Sequence, residues 1–253
     1  MKETIPVLIE GTSITKVFID YASDKGMRSY QEDHFAVSVL KNGGAAAVVA
    51  DGMGGMANGA EISTAASEDF IEAVSGIDTE KKPVHILFEG IINKINRSLS
   101  NKGGGSTLCG VLCCPKGIYW CSVGDSRLYL IREGKPYQVT QDGDYMNELL
   151  DSVISGEMSF ETATSDAQKD SLCDFIGASG HLVPDCNVRP LVPEMSDRLF
   201  LCSDGVYNAL PEAELARIIM ENPCDPAEKI IKRVLEMRFE GQDNITALTI
   251  SFG

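Results

Sequence analysis

Nowhere in the sequence do 18 apolar residues follow one another, so no stretch is long enough to cross a bilayer as a helix. The opening Met1 to Gly11 also lacks an apolar core of signal-peptide length. Both absences lead us to expect a soluble, cytoplasmic protein with no membrane partner. Basic residues are in deficit: 22 Lys and Arg stand against 37 Asp and Glu, a formal charge of −15. That balance opposes binding to nucleic acid or to an anionic membrane. Eight cysteines are present, yet no pair has C-x-x-C spacing, which argues against a zinc site or redox dithiol. Cys109, Cys113, Cys114, Cys121 and Cys202 all sit inside apolar runs and read as reduced core thiols. No proline- or serine-rich linker divides the 253 residues, so one domain over 1–253 is expected.

What is present is a succession of strand and helix patterns. Thr12 to Asp20 fits a first strand and Ser23 to Gly26 a turn. Phe35, Val37 and Val39 alternate as a strand does, and Asn42-Gly43 signals a hairpin into Ala45 to Ala50. That small-apolar run suits a strand covered on both faces. Asp33 and Asp51 then fall toward opposite termini of adjacent strands, and their proximity does not follow from the sequence. Asn58 can cap a helix whose buried side carries Ile62, Ala65, Ala66, Ala73 and Val74, and Gly76 can end it. Val84, Leu87, Phe88, Ile91, Ile92, Ile95 and Leu99 mark a second, strongly amphipathic helix.

Three β-like runs follow, Leu108 to Cys114, Ile118 to Val123 and Leu128 to Ile131, with no helix between them. Such a series indicates antiparallel sheet. The preceding Gly103-Gly104-Gly105 lacks the Lys-Ser/Thr ending of a phosphate loop and reads as a flexible linker. Residues 142–185 are richer in Asp, Ser and Glu and read as a helical, flap-like insertion, a lid or specificity element. Regularity returns with Arg198 to Cys202, a strand that stops at Asp204-Gly205. Asp225-Pro226-Ala227-Glu228 supplies a cap, an N1 proline and an acid in the first turn of another helix. Leu248, Ile250 and Phe252 alternate to close the chain.

Five acids, Asp33, Asp51, Asp125, Asp204 and Asp243, each border an apolar strand. Singly they are ordinary turn formers. Gathered at converging strand ends they would repel one another, a cost that divalent cations relieve. A set of oxygens without His or Cys suits Mg²⁺ or Mn²⁺ above Zn²⁺.

In order along the chain stand Arg28-x-x-x-Glu32-Asp33-x-Phe35, Asp51-Gly52-Met53-Gly54-Gly55, Gly105-Ser106-Thr107, Gly124-Asp125-Ser126-Arg127, Ser203-Asp204-Gly205 and Asp243-Asn244-x-Thr246. In these motifs the chain resembles the metal-dependent protein phosphatases of the PPM, or type 2C, family over nearly its whole length. The resemblance implies an α+β fold, a four-layer α-β-β-α sandwich of two antiparallel sheets flanked by helices, with a carboxylate cleft between the sheets. It implies that Asp51 bridges two metal ions, Mn²⁺ or Mg²⁺, whose shell is completed by the Gly52 carbonyl, Asp204 and Asp243. Glu32 and Asp33 would hold one ion or orient its waters, Asp125 and Asp204 would take a possible third, and Arg28 would receive the substrate phosphate. Water held between the ions would attack phosphoserine or phosphothreonine in a protein, with no phosphoenzyme. A monomer acting on a phosphorylated protein, opposite a Ser/Thr kinase or on a transcription regulator, is the expected setting.

The chain departs from the family at Met53 and Met56, where many relatives carry a histidine able to protonate the leaving group. Gly143 also replaces the histidine of the family's Thr-x-Asp-His sequence. A catalytically weak relative serving as a binding or regulatory module is therefore an alternative. A third reading is a cysteine phosphatase, since Cys121 to Arg127 satisfies C-x₅-R, although a strand pattern follows and Asp125 would repel phosphate.

Overall fold

A computed structural model of the chain describes residues 2–40, 43–53, 58–79, 81–169, 171–238 and 240–253. Strands β1 (Lys2–Pro6), β2 (Lys16–Asp24), β7 (Arg127–Arg132), β8 (Lys135–Gln138), β10 (Arg198–Cys202) and β11 (Ile245–Phe252) form a six-stranded sheet in the order β1-β2-β11-β10-β7-β8. Strands β3 (Asp33–Val39), β4 (Ala45–Asp51), β5 (Leu108–Cys114), β6 (Gly117–Val123) and β9 (Asp185–Cys186) form a five-stranded sheet in the order β3-β4-β5-β6-β9. All pairings are antiparallel.

The period of two in each strand decides which layer each side chain enters. Ala45, Ala47 and Val49 of β4, Cys109 and Val111 of β5, and Leu199, Leu201, Leu248 and Ile250 of the other sheet meet in a core between the sheets. The alternate residues Ala46, Val48, Leu108 and Leu112 face helices α1 (Gly59–Ser75) and α2 (Val84–Leu99), against Ile62, Phe70, Phe88 and Ile92. On the far side Tyr129, Phe200 and Ala247 pack on α5 (Asp204–Tyr207), α6 (Glu212–Glu221) and α7 (Pro226–Met237) through Val206, Ile219, Ile230 and Val234. Two sheets with helices outside both make four layers, as the motif resemblance implies. Gly110 of β5 has a local reason: a Cβ there would lie 2.4 Å from the Phe70 ring, so the helix closes down only on glycine. Among the described residues no helix is long and apolar enough to cross a membrane.

Several local expectations are corrected. The first strand is Lys2–Pro6, and the Thr12–Asp20 region contributes its pairing partner, shifted to Lys16–Asp24. Asn42 lies outside the described residues, while Leu40 N–H to Gly44 O at 2.9 Å closes the β3–β4 hairpin. Gly104 and Gly105 are buried rather than a free linker. Ser106 and Ile176 exchange backbone bonds of 2.9 and 2.8 Å, and a Cβ on Gly105 would strike Phe175. Asn58 precedes α1 with φ +76° and makes no side-chain cap; its amide instead donates to Lys102 O. Residues 142–185 contain two short helices, α3 (Tyr145–Ile154) and α4 (Phe160–Ser165), and return to the five-stranded sheet through β9.

Helix α7 is capped from a distance. Asp225 makes no side-chain cap, and the Ala227 N–H of the first turn donates instead to Asp20 Oδ2, 2.9 Å away on β2. Asp20 is buried, so its loss would strand a helix N–H in the core. Asp20→Ala is expected to cost about 1–3 kcal/mol, seen as a lower denaturant midpoint at unchanged slope.

Candidate functional site

The β3–β4 hairpin brings the first two acids together. Asp33 and Asp51 are direct register partners, because the start of one antiparallel strand and the end of the next share an edge. Asp51 is gripped through its backbone: its N–H donates to Thr107 Oγ1 and its carbonyl accepts the Thr107 N–H, both at 2.9 Å. Thr107 in turn bonds Ser126 Oγ at 2.6 Å, so the turn carrying Asp125 is tied to the strand carrying Asp51. From the opposite sheet, Ser203 Oγ donates to Asp33 Oδ2 at 2.7 Å and accepts the Thr246 N–H at 3.0 Å. That bond spans the two sheets and places Asp204, the next residue, at the same end.

The remaining residues are placed by Asn244. Its amide donates to Lys25 O and Tyr30 O, and its Oδ1 accepts the Glu32 N–H at 2.8 Å. The loop bearing Arg28 and Glu32 is thus fastened to the Asp243–Asn244 turn. Arg28 Nη2 meets Asp243 Oδ2 at 2.6 Å, half exposed at the mouth of the cleft. Gly52 donates its N–H to Glu32 O at 3.0 Å, and a Cβ on it would lie 2.6 Å from Glu32 O and Gly59. The Glu32 carboxylate points toward Gly59 at the start of α1: a Cβ there would be 2.6 Å from Glu32 Oε1. Met53 N–H donates to Gly105 O, and Gly54, Gly55 and Met56 lie outside the described residues.

Electrostatics show how closely the acids gather. Burial, opposed in part by bonds from Ser203 and Thr246 and reinforced by the Asp243 charge, pushes Asp33 up to about 6 from its ordinary 3.8. Asp51 is raised well above 3.8 by burial and then by Asp33, Asp204, Asp125 and Asp243 in turn. Asp125 goes up to about 6 by burial and the Asp204 charge, and Asp204 to about 6 by burial and the charges of Asp243 and Asp33. The five strand-end acids therefore interact as one group. Native carboxyls with raised values keep protons that the unfolded chain has released, so the stability they contribute is present below about pH 4 and lost as pH rises through about 6. In EDTA the thermal midpoint is expected to fall between about pH 4 and 7, less steeply in Asp204→Asn, with saturating Mn²⁺ restoring the wild type.

Whether these residues suit a cation can be tested on their oxygens. Asp33 Oδ1 and Asp204 Oδ1 are shielded from solvent and accept no hydrogen bond. Each lies near enough to Asp51 to share a proton with it, but as carboxylates none of the three has a donor to offer. Among the described residues no three acids, histidines or cysteines stand at the spacing of a closed ligand shell; Arg28 occupies Asp243 instead. Orphaned, buried carboxylate oxygens in an all-oxygen set fit a hard divalent ion. The Glu32 side chain turns toward the start of α1.

No histidine can take the missing donor's part. His34 Nδ1 bonds Ser67 of α1 at 2.6 Å, His181 bonds Glu89 at 2.9 Å, and His85 sits on α2. The cysteine phosphatase reading is overturned. Cys121 is wholly buried within β6, burial pushes its thiol well up, and Arg127 is committed to Asp142 through Nη2–Oδ2 at 2.6 Å. Sequence reasoning missed Ser203, Thr107 and Tyr207 as residues that hold the acids. Thr107 and Ser203 lie inside the Gly105-Ser106-Thr107 and Ser203-Asp204-Gly205 motifs, whereas nothing local distinguishes Tyr207.

Comparison with known proteins agrees with this arrangement. Residues 25–237 match the family model described as Protein phosphatase 2C. The serine/threonine phosphatase stp of Listeria innocua is 29% identical over 242 residues, 91% of this chain and 94% of that protein. The S. agalactiae serine/threonine phosphatase superposes with a TM-score of 0.82 at 28% identity, over 94% of this chain and 100% of the other. The catalytic domain of serine threonine protein phosphatase PstP in complex with two manganese ions has the same fold, with a TM-score of 0.71 at 23% identity over 93% and 98% of the two chains. With a family match over most of its length and the acids gathered at the ends of both sheets, the chain belongs to the protein phosphatase 2C family.

Proposed function

We propose that the chain is a protein-serine/threonine phosphatase that depends on Mn²⁺ or Mg²⁺. The observation that carries the reading is the pair of buried, unpartnered carboxylate oxygens of Asp33 and Asp204 beside the raised Asp51. Asp51, Asp204, Asp243 and the Gly52 carbonyl would hold two ions, with Asp33 and Glu32 supporting one of them and Asp125 with Asp204 available for a third. When bound, such ions supply an activated water and neutralise charge developing on the phosphoryl oxygens. Arg28 presents a planar fork at the cleft mouth, held in place by Asp243, and orients the phosphate of the substrate. Ser203 and Thr107 keep Asp33 and Asp51 in register while the reaction proceeds. Met53 cannot donate a proton, so the leaving serine or threonine oxygen is protonated by water, with no covalent enzyme intermediate. Residues 142–185 serve as a flap over one side of the cleft and select among phosphoproteins.

The test is hydrolysis of a phosphothreonine peptide with and without Mn²⁺. Arg28→Ala is expected to raise KM by about 10-fold or more with a smaller change in kcat, as loss of a charge-assisted contact to phosphate would do. Metal-independent turnover would refute the reading. Mn²⁺ binding by calorimetry with no turnover would instead favour the regulatory module, the second reading that Met53 keeps open.

A further inference from the structure

Tyr207 stands three residues after Asp204 on α5, and its hydroxyl donates to Asp125 Oδ2 at 3.2 Å. The Arg127 guanidinium lies over the face of the same ring, 3.6 Å from its centroid. Its other edge is closed by a two-pronged bond to Asp142, Nε to Oδ1 at 3.0 Å and Nη2 to Oδ2 at 2.6 Å, while Nη1 donates to Tyr129 OH at 3.1 Å. Asp142 is the root of the 142–185 segment: its carboxylate accepts Gln138 Nε2 and its carbonyl accepts the Asn147 amide of α3. A continuous series of polar contacts thus runs from α3 through Asp142, Arg127 and Tyr207 to the carboxylate of Asp125.

We propose that Tyr207 is a positioning residue, fixing the Asp125 carboxylate for the divalent-ion position it shares with Asp204, and that Arg127 ties this carboxylate to the flap root. The proposal rests on the metal-dependent reading above. The chemistry is that of an outer-shell donor. A hydroxyl on Oδ2 fixes the carboxylate rotamer, and loss of such a partner weakens metal binding about 10–100-fold. Because Tyr207 and Asp204 occupy one turn of α5, a single rigid element sets the spacing between the two carboxylates. Arg127 adds a stacked, doubly bonded strut that a lysine could not reproduce. A mere packing brace would stabilise the fold without discriminating among ions.

The experiment is calorimetric titration of Mn²⁺ into the full chain as wild type, Tyr207→Phe and Asp142→Asn, with thermal midpoints recorded beside each. Tyr207→Phe removes one oxygen and keeps the ring under Arg127. The weakest binding step is expected to lose about 10-fold or more in affinity while the tighter steps hold, and Asp142→Asn is expected to shift that same step by a smaller factor. An unchanged weakest step in Tyr207→Phe, or equal weakening of all steps, overturns the positioning role and leaves the phosphatase reading standing. An unchanged isotherm in Asp142→Asn overturns the tie to the flap root. A wild type that binds no Mn²⁺ overturns both the proposal and the reading beneath it.

Discussion

Asp51→Asn is expected to abolish hydrolysis of a phosphothreonine peptide, by about 10³-fold or more, while raising the thermal midpoint of the protein in EDTA. The two effects have one cause. Asp51 faces Asp33, its register partner, and feels the charges of Asp204, Asp125 and Asp243 as well. Without cations this crowding destabilises the native state, so removing one negative charge relieves it. The asparagine also brings an N–H₂ that can donate to Asp33 or Asp204, whose Oδ1 atoms otherwise lack a donor. With Mn²⁺ present the ranking reverses, because the wild type gains binding free energy that the variant cannot. Thermal melts in EDTA and in Mn²⁺, paired with peptide hydrolysis, make the check. A variant less stable than the wild type in EDTA would mean that Asp51 is a structural residue and that the acids do not repel.

Gly205→Ala should cost more than about 3 kcal/mol and take activity with it, by a route that involves no charge. A Cβ at Gly205 would lie 2.0 Å from the Asn244 carbonyl oxygen and 3.4 Å from Asp243 Cβ. Both neighbours belong to the turn that positions Asp243 and, through Asn244, the loop of Arg28 and Glu32. A backbone carbonyl cannot swing aside as a long side chain can. The methyl must therefore push α5, with Asp204, away from the start of β11 or unfold the junction. Chemical denaturation and Mn²⁺ calorimetry together read the result. Wild-type stability with wild-type binding would show that the two segments part freely.

The layered fold was legible because strand alternation and helical stripes act locally. Ala45 to Ala50 announced a strand buried on both faces, and the structure sends its alternate residues into the two cores. Caps were less legible, because a cap is satisfied by whichever acceptor tertiary packing delivers. Asp225 has the right residue type and place, yet Asp20 of β2 takes the helix N–H. Asn58 fails for the same reason, its amide drawn to Lys102 O. Strand β1 escaped notice because the polar residues of Lys2–Pro6 dilute any period-two signal in so short a segment.

For the site, the sequence alone determined the residue types: acids at strand ends, four of the five beside a glycine or a small polar residue, and an arginine upstream. Those choices are local, made by turns and by where strands stop. Only the tertiary structure decided that the acids form one group. The Asp33–Asp51 register, the Ser203 bond between the sheets and the Asn244 stitch join residues as far apart as Asp33 and Ser203, and no local pattern encodes such distances. The same holds for Tyr207 and Arg127, which meet because α5 and the β6–β7 turn end at one edge of the sandwich.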